Sequence, residues 1–417
     1  MLKSSKLSPS FVFLAHESFD MRNRNSGAGM HYDAVIVGGG MVGAAAALGL
    51  AQRGFQVAVL EQETPLPFVA GSAPDVRVSA IGQASVRLLE RLGAWQGVGL
   101  MRSAPYRRLE TWEWDNAHVV FDAADLGLSE LGFMVENRIL QLALWQVLEK
   151  TPGVTLLCPW RLQSMRREGE QWVLISERGD SLSASLVIGA DGANSKIRQW
   201  AGIGITGWQY RQSCMLISAE MAGPQQDATW QRFTPSGPRA FLPLFDGWCS
   251  LVWYDSPSRI RQLQAMSLPQ LNKAIAETFP ARLGAVNAVA AGAFPLVRRH
   301  AQQYVLPGLA LIGDAAHTIN PLAGQGVNLG YRDVSTLLDV VIRARNEGAV
   351  WYGEPVLRRY QRQRKPDNLL MQSGMDLFYG AFSNRLPPLE FARNLALMAA
   401  QRAGKLKQQA LRYALGL

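Results

Sequence analysis

A chain of 417 residues that is 48% hydrophobic and 18% charged can bury a large core, has room for two or more domains, and is neither disordered nor fibrous. Three cysteines, Cys158, Cys214 and Cys249, fall without C-x-x-C or metal spacing, which argues against a disulfide framework and a zinc site and predicts no bound metal. The net charge of +9 is spread along the chain without a helix-turn-helix or zinc pattern, so nucleic acid is the weakest reading of the basic balance.

No apolar run reaches the ~18 residues that a bilayer span needs, and Phe11 to Ala15 is too short for a signal-peptide core. The expected location is the cytoplasm. Residues 1–30 read as a loose, disordered extension, or as an over-long start with Met21 or Met30 as the initiator.

From Asp33 the pattern sharpens. Asp33-Ala-Val-Ile-Val-Gly38-Gly-Gly40-Met-Val-Gly43-Ala-Ala-Ala-Ala, followed by Val57-Ala-Val-Leu-Glu61, joins an apolar strand, a glycine turn, a small-residue helix and a second strand ending in a carboxylate. Gly38 allows the tight turn, Gly40 lets backbone amides approach a pyrophosphate, and Gly43 lets the helix pack on the sheet. The positive end of that helix receives the pyrophosphate, and Glu61 is placed to accept hydrogen bonds from an adenosine ribose. A bare carboxylate there repels a 2′-phosphate, so FAD or NAD fits better than NADP. The same glycine pattern recurs at Gly202-Ile-Gly204-Ile-Thr-Gly207, but after a helix from Ser195 to Trp200, and there it reads as a loop.

Helical spacing places a helix over Gln83 to Leu92, and alternation places strands over Arg107 to Asp115 and His118 to Asp122. A helix from Arg138 to Lys150 is stopped by Pro152-Gly153, and strands follow at Trp172 to Glu177 and Leu186 to Asp191. From Trp208 to Phe294 the chain is aromatic-rich and mostly β, with a helix near Leu268 to Phe279. Nucleotide-type elements return at Gly308-Leu-Ala-Leu-Ile-Gly313-Asp314, after which the chain is helical. The fold class is therefore α/β: a Rossmann-like nucleotide domain (31–102, 131–205 and 300–350) interleaved with a β-sheet substrate domain (103–130 and 206–299), then a helical region (351–417).

From Arg385 to Leu417, Arg393, Arg402, Lys405, Lys407 and Arg412 interleave with leucines close to helical spacing. Such a basic amphipathic helix rests on an anionic membrane surface, on a partner, or on its own protein with a solvated outer face.

Two further motifs carry chemistry. Leu186-Val-Ile-Gly-Ala-Asp191-Gly192 is a strand ending in a tight turn that feeds a helix, and a plain turn is its simplest reading. Gly313-Asp314-Ala-Ala-His317-Thr-Ile-Asn-Pro321-Leu322-Ala-Gly324-Gln-Gly326 is more specific, because a carboxylate at the end of a buried strand can bind a polyol hydroxyl and a Pro/Gly loop can bring amides against a planar ring. A helix beginning near Gly324 would favour negative charge at the edge of an isoalloxazine. His317 is open to three readings: a general base, a residue that orders the loop, or a contact to flavin or substrate.

These three motifs, in this order, resemble the FAD-dependent aromatic hydroxylases of the p-hydroxybenzoate hydroxylase type. The resemblance implies FAD as cofactor, with Gly38, Gly40, Gly43 and Glu61 on its ADP half and Asp314 on the ribityl chain. It implies that Asp191 serves the fold and is open to the nicotinamide co-substrate, and that Arg77 and the start of the helix at Asn137-Arg138 touch the flavin. Which of Asn137 and Arg138 fills that slot stays open. Gly324 and Gly326 would present the helix end to the ring, and Pro321 and Leu322 would wall the oxygen pocket through their backbone.

Within that group, Arg107-Arg-Leu-Glu-Thr-Trp-Glu-Trp114, Gly237-Pro-Arg-Ala-Phe-Leu-Pro-Leu-Phe-Asp246, Ser250-Leu-Val-Trp-Tyr-Asp-Ser-Pro257 and Asn320 to Asp333 resemble the ubiquinone-biosynthesis hydroxylases. The implied reaction is hydroxylation of the ring of a polyprenylated quinol or phenol, with NAD(P)H and O₂ as co-substrates and a flavin C4a-hydroperoxide as the oxygen donor. The implied surroundings are a ubiquinone-biosynthesis complex or the inner face of the membrane, met through the C-terminal helix. The prenyl tail suits the layer around Phe241, Leu242, Phe245, Leu251 and Trp253, positions that ordinary core packing also explains. Trp112-Glu113-Trp114 resembles part of a flavin-dependent halogenase motif, although the Ile-Pro that completes it is missing. The same motifs would also suit a prenyl reductase of this superfamily or an FAD-stabilised scaffold.

Overall fold

The computed structural model describes residues 30–320, 325–384 and 386–417. The expected N-terminal extension therefore lies outside the described residues, apart from Met30, which already belongs to the first strand.

The chain begins with β1 (Met30–Val37), α1 (Met41–Ala51), β2 (Val57–Leu60), β3 (Val78–Gly82), α2 (Gln83–Arg91) and α3 (Trp95–Met101). Next come β4 (Ala104–Tyr106), β5 (Arg108–Trp112), β6 (His118–Asp122), β7 (Gly132–Glu136) and α4 (Asn137–Leu148). Then follow β8 (Val154–Leu157), β9 (Leu162–Glu168), β10 (Gln171–Ser176), β11 (Ser181–Gly189) and α5 (Lys196–Trp200). The β-rich stretch is β12 (Ile205–Met221), β13 (Ala228–Arg232), β14 (Arg239–Pro243), β15 (Trp248–Asp255), α6 (Pro257–Gln264), α7 (Leu268–Thr278) and β16 (Val286–Ala301). After β17 (Val305–Leu306), β18 (Leu309–Leu311) and β19 (His317–Thr318), the chain ends in α8 (Gly326–Asn346), α9 (Glu354–Phe382), α10 (Pro387–Gln401) and α11 (Lys405–Leu415).

The first sheet runs β17-β18-β11-β1-β2-β8, with β18, β11, β1, β2 and β8 parallel and an antiparallel β9-β10 pair joined to β11. Its central strands, β2, β18 and the later half of β1, are buried on both faces, as α/β sheets require, and α1, built of Gly43, Ala44 to Ala47, Leu48 and Leu50, is buried almost all round. Small residues allow close helix packing: a side chain at Gly49 would meet Leu338 of α8 at 2.3 Å, and one at Gly330 would meet Val42 at 2.6 Å.

The second sheet runs β19-β16-β12-β15-β14-β13-β5-β6, and the third is the short β3-β7-β4. Alternation sorts the faces of the large sheet. Met215, Ile217, Phe241, Leu251 and Trp253 point to a core closed by Ile260 and Leu263 of α6 and Leu271 and Ile275 of α7. Cys214, Leu216, Val252, Tyr254 and Phe294 point the other way and meet Tyr379 of α9. This sorting revises the layer suggested for the prenyl tail: Phe241, Leu251 and Trp253 are core, whereas Leu242 and Phe245 join a separate cluster with Leu411 and Leu415 of α11.

Three other expectations change. The repeated glycine pattern is a loop only at Gly202 and Gly204; Gly207 lies inside β12, where a side chain would meet the Arg298 carbonyl at 2.1 Å. The C-terminal basic stretch is two helices, broken at Gly404, whose φ of +51° favours glycine. Arg393 is not on a solvated face, because it is buried and forms a fork with Glu113 at 2.7 and 2.5 Å, while Asn394 adds a bond to the same carboxylate at 2.6 Å. Trp114 donates its indole N–H to Glu390 at 2.8 Å. The Trp112-Glu113-Trp114 segment thus receives α10.

Candidate active site

β1 runs into Gly38, whose φ of +103° and close approach to the Ala190 carbonyl, 2.4 Å from where a Cβ would sit, leave room for no other residue. Gly43 presses α1 onto this turn, with an added Cβ only 1.9 Å from the Gly38 carbonyl oxygen. Gly40 is different. It forms the N-cap of α1 with no side-chain cap, and a Cβ there would meet nothing within 4 Å. The N-terminal amides of α1 therefore face open space, the arrangement that an anionic pyrophosphate needs.

Glu61 stands at the end of β2 with one carboxylate oxygen accepting from the Gly39 amide at 2.8 Å and the other from the Gln62 and Glu63 amides at 2.6 and 3.2 Å. The oxygen facing Gly39 keeps a further lone pair, so the carboxylate can still accept a ribose hydroxyl. Gly39 is also fixed from α4: Gln141 and Trp145 donate to its carbonyl at 3.0 and 2.7 Å. Neither was evident as a turn-holding residue in the sequence; the signal is a polar or indole position at each turn, 137, 141 and 145, on one helical face.

A cleft of about 500 Å³ runs from this turn, lined by Gly40, Met41, Pro65, Asp75, Val76, Arg77, Asn137, Arg138 and Gln141. It brings Gly40, one of the glycines expected on the ADP side, beside the expected flavin contacts. Arg138 grips Asp75 with two bonds of 2.8 and 3.0 Å, and Asn137 accepts from Ser79 at 2.7 Å, so both expected residues face the cleft and Arg138 is already paired. Arg77 is exposed in the cleft, with its guanidinium 6.0 Å from the Phe294 ring centre on the inner face of the large sheet. The cleft thus meets the face that carries Leu216, Val252 and Tyr254.

Asp191 closes the start of α5, accepting from Lys196 and Ile197 amides at 2.7 and 3.1 Å, and burial raises its pKa against those bonds. Its second carboxylate oxygen is buried without a partner among the described residues. Asp314 is exposed in the turn that follows β18. Gly326 opens α8, whose first turn has no side-chain cap, but Pro321, Leu322 and Gly324 lie outside the described residues.

His317 does not pair with Asp314. Its Nε2 lies 2.5 Å from Asp333 on α8, and both side chains are buried. Asp333 also accepts from the Gly313 amide at 3.0 Å, from Arg364 at 2.8 Å and from Asn368 at 3.1 Å. A second asparagine, Asn328, ties α8 to the β3-α2 junction, accepting from the Gly82 amide at 3.0 Å and the Ser85 hydroxyl at 2.7 Å and donating to Ala80 at 2.8 Å. The sequence does not flag these anchors.

The uncapped helix end, the three-glycine turn, the carboxylate ending β2 and the adjoining cleft suit a dinucleotide, and the family match that follows makes it FAD. Residues 31–368 match the family described as FAD binding domain. The overall fold is that of p-nitrophenol 4-monooxygenase from Pseudomonas putida DLL-E4, with a TM-score of 0.78 at 20% identity over 93% of this chain and 99% of that one. Among curated proteins, the chain is 65% identical over 382 residues to 3-demethoxyubiquinol 3-hydroxylase of Escherichia coli strain K12, covering 92% of this chain and 98% of that protein. It is 35% identical over 385 residues to ubiquinone hydroxylase UbiL of Rhodospirillum rubrum, covering 92% and 89%. The chain belongs to the FAD-binding monooxygenase family and, within it, to the ubiquinone-biosynthesis hydroxylases.

Proposed function

We propose that this protein hydroxylates the aromatic ring of a polyprenylated quinol in ubiquinone biosynthesis, and that its substrate is the demethoxyubiquinol for which the Escherichia coli relative is named. The observation that carries the reading is 65% identity over 98% of that relative, supported by a cleft that places Gly40 beside Arg77, Asn137 and Arg138. Bound FAD supplies oxygen activation, with NAD(P)H as its reductant and O₂ as co-substrate. The chain supplies binding, orientation and dryness.

Gly38, Gly40, Gly43 and Glu61 hold the ADP half, and Asp314 the ribityl chain. Arg77, Asn137 and Arg138 flank the ring system. The amino end of α8 at Gly326 favours negative charge placed before it. His317 acts as a positioning residue: with its ring buried against Asp333, it fixes the turn that carries Asp314 rather than meeting substrate. The apolar face of Leu216, Val252 and Phe294 beside Arg77 suits a hydrophobic ring and keeps water out. Purified protein supplied with the quinol, NAD(P)H and ¹⁸O₂ is expected to place one labelled oxygen on the ring. If FAD is bound and no quinol accelerates NAD(P)H oxidation or gains label, the protein is a scaffold and this reading fails.

The described residues contain no helix long and apolar enough to cross a membrane. The prenyl tail still brings the protein to lipid, and the reading extends to peripheral contact with the inner face of the membrane through the C-terminal helices. Leu377 and Phe378 of α9, Leu389, Phe391 and Leu395 of α10, and Leu406 of α11 are exposed, with Arg402 and Lys405 nearby in sequence. Wild type is expected to float with phosphatidylglycerol vesicles, and Phe391→Ser/Leu395→Ser to lose at least half of that binding. Equal flotation of the two, or none, would assign the surface to a partner in a biosynthetic complex instead.

A further inference from the structure

A second cavity, of about 350 Å³, shares no lining residue with the FAD cleft and lies between α2, α8 and α9, under the residue that ends α11. Its wall carries four arginines, Arg87, Arg91, Arg332 and Arg364, and no carboxylate. Arg364 is spent on Asp333, Asp367 and Asn368. Arg332 is half spent: it donates to the Tyr413 and Ala414 carbonyls at 2.7 and 3.2 Å and stands 3.9 Å from Asp367. Arg87 and Arg91 are exposed one turn apart on α2 and have no hydrogen-bond or ion-pair partner among the described residues. Like charges at that spacing repel, and an anion between them removes the repulsion.

Tyr331 is the second sign of a ligand. It lines the same cavity, is 1% exposed, and its hydroxyl is buried with no partner among the described residues. Native proteins seldom leave such a group unmatched. Guanidinium groups of two helices on one cavity wall, with an unmatched hydroxyl among the lining residues, suit an oxyanion, which can accept from all of them, better than a cation or a neutral ligand.

We propose that this cavity binds a phosphate-type oxyanion, free or as the headgroup of an anionic phospholipid, between Arg87, Arg91 and Arg332. The anion has a structural consequence. Gly416 forms part of the wall, and its Cα leaves the Arg332 guanidinium only 3.2 Å from where a side chain would begin. Because Arg332 already holds the Tyr413 and Ala414 carbonyls, an anion that fixes its guanidinium in place also fixes the last turn of α11, whose Leu411 and Leu415 belong to the core. Occupancy fastens the C-terminal helix to the FAD-binding half of the molecule.

The test uses FAD-loaded protein with inorganic phosphate, pyrophosphate, or sodium chloride at matched ionic strength, and separately with phosphatidylglycerol or phosphatidylcholine vesicles. Melting temperature and amide hydrogen exchange over residues 405–416 are read for wild type, Arg87→Gln/Arg91→Gln and Arg87→Lys/Arg91→Lys. Phosphate or pyrophosphate is expected to raise the wild-type midpoint by several degrees beyond chloride and to slow exchange at least fivefold. The glutamine pair loses the effect, the lysine pair keeps part of it, and FAD content is unchanged in both. Protection by the soluble anions identifies a free phosphate; protection only by phosphatidylglycerol vesicles identifies a headgroup. Equal responses of wild type and the glutamine pair to every anion would overturn the proposal.

Discussion

Gly43→Ala is expected to yield a protein without FAD. The new methyl would stand 1.9 Å from the Gly38 carbonyl oxygen and 3.0 Å from the Ala190 side chain, and neither the turn nor the strand beneath it can yield cheaply. Overpacking of this kind costs about 1–3 kcal/mol in a core, and here the displaced element is the helix to whose amides we assign the pyrophosphate. Gly40→Ala separates cofactor from fold. Its methyl meets nothing within 4 Å and its φ of −69° suits any residue, so the apoprotein should melt with wild type. It nevertheless projects into the space we assign to the pyrophosphate, and FAD affinity should fall more than about tenfold, or ~1.4 kcal/mol. Fluorescence titration of apoprotein with FAD, beside thermal melts of the same samples, reads both. Wild-type FAD affinity in Gly43→Ala would refute the assignment of this turn to the cofactor.

What the sequence exposes is whatever local chemistry dictates. The β1-α1-β2 unit is contiguous, and the structure has Gly38 at a positive φ against the Ala190 carbonyl and Gly43 pressing α1 onto that turn, with open space at Gly40. The resemblance supplied Arg77, Asn137 and Arg138, which no spacing rule would have chosen, and they line the same cleft. Distant pairings leave no such trace. Glu113 and Arg393 are 280 residues apart, so Arg393 reads as one more cation on an amphipathic stripe until the fold buries it. The short β3 and β7 strands escape notice because each runs directly into a helix, at Gln83 and Asn137, with no turn residue between to mark the end. His317 invites pairing with the nearest carboxylate in sequence; its partner comes instead from 16 residues further along the chain, on α8.

That partner is the basis of the second large effect. Asp333→Asn keeps the shape of the side chain but leaves Arg364 buried with less than its full complement of charge, and removal of one member of a buried pair costs about 3–5 kcal/mol. Burial alone would raise the Asp333 carboxyl, but His317 and Arg364 overcome it and hold the pKa below the ordinary carboxylate value. A carboxylate whose folded pKa is depressed contributes stability above its unfolded pKa, about 3.9, and loses it as pH falls through the folded value. Urea unfolding should therefore show a gap between wild type and Asp333→Asn that is constant near neutrality and narrows below about pH 4. The double variant Asp333→Asn/Arg364→Gln should cost at least ~1 kcal/mol less than the sum of the single changes, because the two charges leave together. Additive single changes, or a gap independent of acid, would show that the pair is not coupled. The same substitution reaches the cofactor, since Asp333 accepts from the Gly313 amide and so holds the turn that presents Asp314. FAD affinity should fall in Asp333→Asn even at temperatures where the protein stays folded, which separates anchoring of the ribityl side from general loss of stability.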